Sequence, residues 1–486
     1  MVGGLPSGSP GEASARSSIV TLINSCVGVG VLSLPYAFRS AGWAGGLALL
    51  AFVAVTEAFT LYVLSRYAEH TDSATYSSVV RSMLGKRASF FLAFVLLIYL
   101  FGSCVAYLII FGDCLHPIVL GALGEHWFTR RNVVLPVLSS LTMFPLCLPR
   151  TLDSIVGVSA VALYGIVAMV GIVTWRNVGA IEAEASPWAE VRPFNLSLDC
   201  LAAIPIIIFG MQCHCQVITV FNELTDHPRV LTTVLPAPSA RLMVEEEEEE
   251  DEGEEGEPED VRLERRQSRK SKKLRGMRRV VFTASEWVGL TAVGYSAIGL
   301  TGYLAFPHTA MSNILNNFSR KDRLMQLCRG LVGLMKVVSY PINHHPARSA
   351  TADLVRQVSG RAVGGSALFH VGHAAVFYLA TLSVALCVRD LGVVFKIVGG
   401  TNGAFLIFGL PGALLMKYAS DKAVASRVAA GAVRPLLRAD GAEERAPYRL
   451  LTSKLWWAGV GLCTLCALVL ALTIVSMVFP MKAASP

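Results

Sequence analysis

Apolar residues gather along this chain into runs of about twenty, each closed by a short polar segment, with little of the alternation that marks a half-buried strand. A hydrocarbon core asks for roughly 20 apolar residues per helix, and only helices or closed barrels satisfy their own backbone there. The runs cover residues 18–37, 43–66, 89–113, 132–148, 153–175, 198–221, 282–304, 323–343, 366–388, 391–415 and 455–479. The fourth is short and bounded by Pro136, Pro145 and Pro149. The pattern predicts an all-α integral membrane protein with eleven transmembrane helices, built as one domain over 18–479 behind a polar tail at 1–17. That tail lacks the apolar centre of a cleavable signal peptide.

Composition sharpens this picture. Hydrophobic residues make up 53% of the 486 residues and charged ones only 16%, against about 25% in an ordinary soluble domain, which excludes a soluble globular enzyme. Charge is also concentrated: 13 Asp and Glu lie between Glu245 and Asp260, and 10 Lys and Arg between Arg262 and Arg279. The segment 222–281 that holds them has little to bury and reads as a disordered acidic and basic insert. Its stretch 245–279 is a solvated face, or a contact for anionic lipid or cytosolic proteins. Elsewhere Lys and Arg sit at the ends of apolar runs, so the net charge of +7 describes a lipid partner rather than nucleic acid. The 11 cysteines fall in or beside apolar runs, without a disulfide framework.

Orientation follows from the positive residues. With the long insert set aside, segments on the N-terminal side carry 17 Lys and Arg against 10 on the other, which places the N-terminus in the cytosol. Two glycosylation sequons, at Asn195 and Asn317, then fall on the outer side.

Helix breakers point to a site. The first run reads Asn24-Ser25-Cys26-Val27-Gly28-Val29-Gly30, and the sixth reads Pro205 through Phe209-Gly210-Met211-Gln212-Cys213-His214. Backbone freed at membrane depth is tolerated where it lines a cavity or holds a ligand, and paired breaks in the first and sixth spans mark two inverted five-helix repeats. The bland alternative is that Gly28 and Gly30 only let helices approach. Among the charges inside apolar runs, Glu57, Lys336 and Lys396 need a reason. Glu57 either bonds freed backbone or relays a proton, whereas Lys396 snorkels. No metalloprotease, nucleophile-elbow or phosphate-loop motif appears, so the chain is not an enzyme. A transporter, a channel and a sensor that binds without moving its ligand stay open.

The residues Asn24-Ser25-Cys26-Val27-Gly28-Val29-Gly30-Val31-Leu32 with Pro35-Tyr36-Ala37 resemble the first-helix signature of the amino acid/auxin permease family, in particular its sodium-coupled neutral amino acid transporter branch. Further matches keep the family order: Pro145 to Arg150, Gln212-Cys213-His214 with Glu223, Gly302 to Phe306, Tyr340-Pro341 with Arg348, and Phe408 to Gly412. The resemblance implies a LeuT-type 5+5 inverted repeat, with repeats at 18–175 and 198–415 and an extra helix at 455–479. It also implies secondary active transport of amino acids, by symport or antiport, in the plasma membrane or a vacuolar or lysosomal membrane.

For such a substrate, free N–H groups at Val29 and Gly30, beside Ser25 and Gly28, suit a carboxylate. Phe209 and Met211 supply an apolar wall and Gln212 supplies donors and acceptors, while His214 either touches substrate or is a buried histidine that pins its half-helix. The resemblance places a sodium ion on Asn24, Val27 and Ser339, with no other cofactor. Lys336, one turn from Ser339, either snorkels to the inner interface or puts its ammonium where sodium would sit.

Overall fold

A computed structural model describes residues 29–71, 76–149, 153–182, 188–212, 214, 288–289, 291–361, 363–429 and 453–478. The first-run residues Asn24, Ser25, Val27 and Gly28, and the insert 245–279, lie outside the described residues. Among the described residues every regular element is helical. A 3-10 turn over Val29–Ser33 leads into α1 (Leu34–Ala41), followed by α2 (Trp43–His70), α3 (Tyr76–Leu84), α4 (Lys86–Leu123), α5 (Arg131–Leu146), α6 (Asp153–Glu182) and α7 (Ala203–Met211). After α8 (291–305) come α9 (Arg323–Ser359), α10 (Ala367–Cys387), α11 (Leu391–Val398), α12 (Leu410–Ala429) and α13 (Lys454–Val478).

Five stretches among these are long and apolar enough to cross a membrane: Trp43–Ala68, Lys86–Leu123, Ala367–Cys387, Leu391–Lys422 and Lys454–Val478. Their outward faces carry Phe52 and Phe59 on α2, Phe90, Phe91 and Phe94 on α4, and Trp457 and Leu468 on α13, all exposed. Large aromatic and aliphatic side chains on an outer surface are stable against lipid and costly against water.

Two helices differ from their sequence outlines. The polar stretch Asn343-His344-His345 closes the run at 323–343, yet α9 continues to Ser359 with Pro341 and Pro346 inside it. Tertiary partners explain the extension, because Asn343 donates to Tyr107 Oη at 2.9 Å and Arg348 lies 2.9 Å from His370 Nε2. The run at 391–415 is continuous in hydropathy, but α11 passes into π-helical turns over Gly399–Gly403 and Phe405–Gly409 before α12. Glycines make those turns a docking surface. A Cβ at Gly399 would stand 2.1 Å from Pro205 O in α7, and one at Gly400 would stand 2.1 Å from Thr473 Oγ1 in α13.

The joint between α1 and α2 is held by the loop that leads to α7. The first N–H groups of a helix have no partner within it, and those of Trp43, Ala44 and Gly45 donate to the carbonyls of Arg192 and Pro193 at 2.9–3.1 Å. Gly42 turns the chain there with φ +84°, and a Cβ would lie 2.6 Å from Pro193 O. That backbone region is open almost only to glycine and costs other residues about 1–3 kcal/mol. Gly42→Ala is therefore expected to lower the thermal unfolding midpoint of the purified protein. Gly45→Ala, whose Cβ would meet only Phe194 and Ala41 at 3.5 and 3.6 Å, is expected to leave it nearly unchanged.

Both sequon asparagines serve as loop braces. Asn195 Nδ2 donates to Ser40 O at 2.9 Å and its Oδ1 accepts from the Ser197 N–H at 3.1 Å. Asn317 Nδ2 donates to Thr309 O at 2.8 Å and its Oδ1 accepts from the Met311 N–H at 2.9 Å. In the folded protein the nitrogen that a glycan would take is already engaged at each.

Candidate functional site

The entry turn of α1 and the short helix α7 cross with their backbones nearly touching. A Cβ on Gly30 would come 2.2 Å from Gly210 Cα, which no side-chain adjustment relieves. The crossing sits beside a true interruption, because α7 ends at Met211 and Gln212 is extended, with φ −62° and ψ 115°. The last carbonyls of a helix lack intrahelical donors. That of Gly210 accepts from the buried Tyr295 hydroxyl of α8 at 3.1 Å. Ser33 in the entry turn donates through its hydroxyl to Ser312 O, and Arg39 Nη1 donates to His308 O at 2.9 Å.

Phe209 and Met211 are both buried, at 4% and 2% exposure. Phe209 stacks on Phe395 of α11 with centroids 4.4 Å apart and leans on Tyr99 of α4 at 5.7 Å. Phe209 thus packs in a cluster of three aromatics from three helices. Tyr99 and Phe395 had no signal in the sequence, since an aromatic within an apolar run looks like any other lipid-facing residue.

His214 and Glu57 are each fully buried and face one another, with Nδ1 3.6 Å from Oε1. Thr60 Oγ1 lies 2.9 Å from His214 Nε2, and the Thr60 hydroxyl also reaches the carbonyls of Thr56 and Glu57 at 3.0 and 3.1 Å. Thr60 Oγ1 and His214 Nε2 are thus hydrogen-bond partners, with the donor set by the tautomer of the ring. Both ring nitrogens face residues of α2.

Lys336 is 4% exposed and does not snorkel. Its ammonium stands 5.3 Å from the centre of the Tyr107 ring, a cation–π contact. Ser339, one turn along α9, donates its hydroxyl to Met335 O at 2.9 Å, which leaves the oxygen lone pairs to accept from or coordinate a partner. Lys396 is partly exposed, with its ammonium 5.8 Å from the Tyr36 ring. Asp113, at a run boundary and unremarkable in sequence, pairs with Arg131 at 3.5 Å and accepts from Asn313 Nδ2 at 3.1 Å. At the head of α9, burial pushes the Asp322 carboxyl up. Hydrogen bonds from the Met325 and Leu324 backbone and the Arg176 guanidinium outweigh it and hold that group below the usual carboxylate range.

Three comparisons bear on this arrangement. The family described as transmembrane amino acid transporter protein matches residues 11–242 and 265–430, skipping the acidic tract. The sodium-coupled neutral amino acid transporter 7 of Rattus norvegicus is 26% identical over 427 residues, covering 84% of this chain and 80% of that protein. The vacuolar amino acid transporter 5 of Schizosaccharomyces pombe is 25% identical over 410 residues, covering 83% and 84%. Among solved structures, a Na+-coupled sialic acid symporter in a substrate-bound outward-open state superposes with TM-score 0.51 at 11% identity, covering 98% of this chain and 92% of that one. This last likeness concerns fold alone.

Proposed function

The chain belongs to the transmembrane amino acid transporter protein family, and on that premise we propose that it carries an amino acid across a membrane by alternating access, through a site between the entry turn of α1 and the break after α7. What carries the reading is the backbone crossing of Gly30 and Gly210 beside the extended residue Gln212. A glycine contact of this kind leaves backbone amides open to a ligand, and a helix end offers the partial positive charge that a carboxylate wants. The wall formed by Phe209, Tyr99 and Phe395 suits an uncharged side chain.

On this reading the chain crosses the membrane eleven times, with repeats at 18–175 and 198–415, an added helix at 455–479 and a cytosolic N-terminus; the nine-residue α3 is not one of the spans. The membrane is the plasma membrane or a vacuolar one. The insert 245–279 meets the cytosolic lipid surface or cytosolic proteins.

Coupling turns on Lys336. A sodium ion held by Asn24, Val27 and Ser339 would stand one helical turn from a buried ammonium, and like charges at that distance oppose each other. A lysine held out of water is suited to exchange its proton during a cycle. Proton coupling is the reading that follows, with the amine taking the part of the sodium ion.

Uptake of a panel of radiolabelled amino acids into proteoliposomes, run with a sodium gradient, a proton gradient or none, tests both statements. Gradient-driven accumulation is expected, whereas passive flux would indicate a channel and binding without flux a sensor. Wild-type uptake is expected to follow pH without needing sodium and to fall at least about tenfold in Lys336→Ala, the loss of one favourable charge contact. Sodium-dependent uptake untouched by that substitution would overturn the coupling assignment and leave the transport assignment standing.

A further inference from the structure

Where α4 ends, α5 begins and the loop at 311–320 folds over α9, a cavity of about 470 Å³ lies between Asp113, His116, Arg131, Asn316 and Arg329. We propose that it binds a small monovalent anion, chloride or a carboxylate, at a place separate from the Gly30 and Gly210 crossing. Three guanidinium groups, of Arg131, Arg320 and Arg329, line the cavity against the single carboxylate of Asp113.

Arg320 is exposed and solvated, Arg131 is largely covered with 14% of its side chain exposed, and Arg329 is held out of water. Arg329 is 1% exposed. Its Nη atoms donate to the carbonyls of Leu315 and Phe318 at 2.8 Å and Ser319 at 3.4 Å, while its buried Nε has no acceptor. Carbonyl dipoles orient a guanidinium without neutralising it. Arg131 reaches Asp113 Oδ1 with Nη2 at 3.5 Å, while its buried Nη1 has no acceptor. The Asp113 carboxylate is meanwhile shared among Arg131, Asn313 Nδ2 at 3.1 Å and Asn316 Nδ2 at 3.3 Å.

Two buried guanidinium N–H groups thus lack acceptors on residues that line the cavity, and one carboxylate faces one buried and one partly buried positive charge. Leaving a buried charge without a counterion is costly, and a group that accepts from both donors relieves it. One excess charge calls for a monovalent anion, because a second negative charge would meet Asp113. The room has been left: a Cβ on Gly112 would come within 3.4 Å of Arg131 Nε, so glycine there lets the guanidinium lie against α4.

The test uses the full-length protein in detergent, its thermal midpoint followed against N-methylglucamine chloride and, separately, N-methylglucamine acetate, each compared with a bulky sulfonate salt at equal ionic strength. A saturable rise is expected. Saturation by chloride alone identifies a halide site, and saturation by acetate identifies a carboxylate site. Arg131→Gln is expected to weaken the half-saturating concentration about tenfold. Asp113→Asn, which removes the competing carboxylate, is expected to strengthen it about tenfold, the scale of one nearby charge. A merely structural role for these residues lowers both midpoints and leaves the anion dependence as in wild type. If Arg131→Gln does not fold, the tightening in Asp113→Asn carries the result alone. No saturable effect of either salt up to about 100 mM, or an anion dependence unchanged in Asp113→Asn, would overturn the proposal. Since the readout is binding and not flux, the outcome is independent of the transport assignment.

Discussion

Replacing Gly30 with valine is expected to reduce amino acid uptake to background while the protein still inserts in the membrane. Insertion depends on the hydropathy of each segment, which a valine does not lower. The crossing with α7 is another matter, because the first added carbon would stand 2.2 Å from Gly210 Cα and 2.9 Å from Gly210 N. Backbone cannot rotate aside as a side chain can, so the entry turn and α7 must separate, and the wall at Phe209 moves with them. Gly30→Ala is expected to fail nearly as badly, since the clash is with its Cβ and not with branching. Gly171→Ala, with nothing within 4 Å of its added carbon, is the control expected to transport normally. In sequence, Gly30 is marked by its free N–H, which suits a carboxylate. The structure adds a steric reason that operates with no substrate present, so a loss of thermal stability should accompany the loss of uptake. Uptake at the wild-type rate in a correctly inserted Gly30→Val protein would remove the site from this crossing.

The second large effect is expected from Glu57. Its carboxylate and the His214 ring are each fully buried, 3.6 Å apart. Removing one member of a buried pair strands the other and costs roughly 3–5 kcal/mol. Glu57→Leu should therefore unfold at a markedly lower temperature and accumulate poorly. His214→Leu should do likewise, and the double substitution should recover part of the loss, because neither buried polar group then faces an apolar side chain in place of the other. Thr60→Val, which removes the hydrogen-bond partner of His214 Nε2 and little else, is expected to cost about 1–3 kcal/mol. If the pair pins the half-helix, substrate affinity in the variants that fold should change less than stability does. A Glu57→Gln protein with wild-type stability and strictly lost pH dependence would instead give Glu57 the proton-relay role.

The sequence foresaw the π-helical segment least well. Hydropathy over 391–415 is continuous, and nothing local separates Gly399 and Gly400 from glycines that merely loosen a helix. Their reason lies in Pro205 and Thr473, close in space and far along the chain. Tyr107 was passed over on the same grounds, and the partners of Asn343 and Arg348 were not legible. A polar residue in or after an apolar run announces that it needs a partner, but does not say which.

What this sequence determined by itself is that the chain is helical and where α7 is interrupted. Hydrocarbon offers no hydrogen bonds, so a run of apolar residues must pair its own backbone locally, and glycine and proline interrupt it locally. Gly30, Gly210 and the break beside Gln212 were legible for that reason. What only the tertiary structure decided is which interruptions and which charges meet. Glu57 faces His214, Lys336 turns to Tyr107 instead of the interface, and Asp113 gathers the loop around Arg131. Helix packing in lipid is fixed by close contact and by polar pairs between segments distant in sequence, and such pairing leaves no period or spacing along the chain from which it could be read.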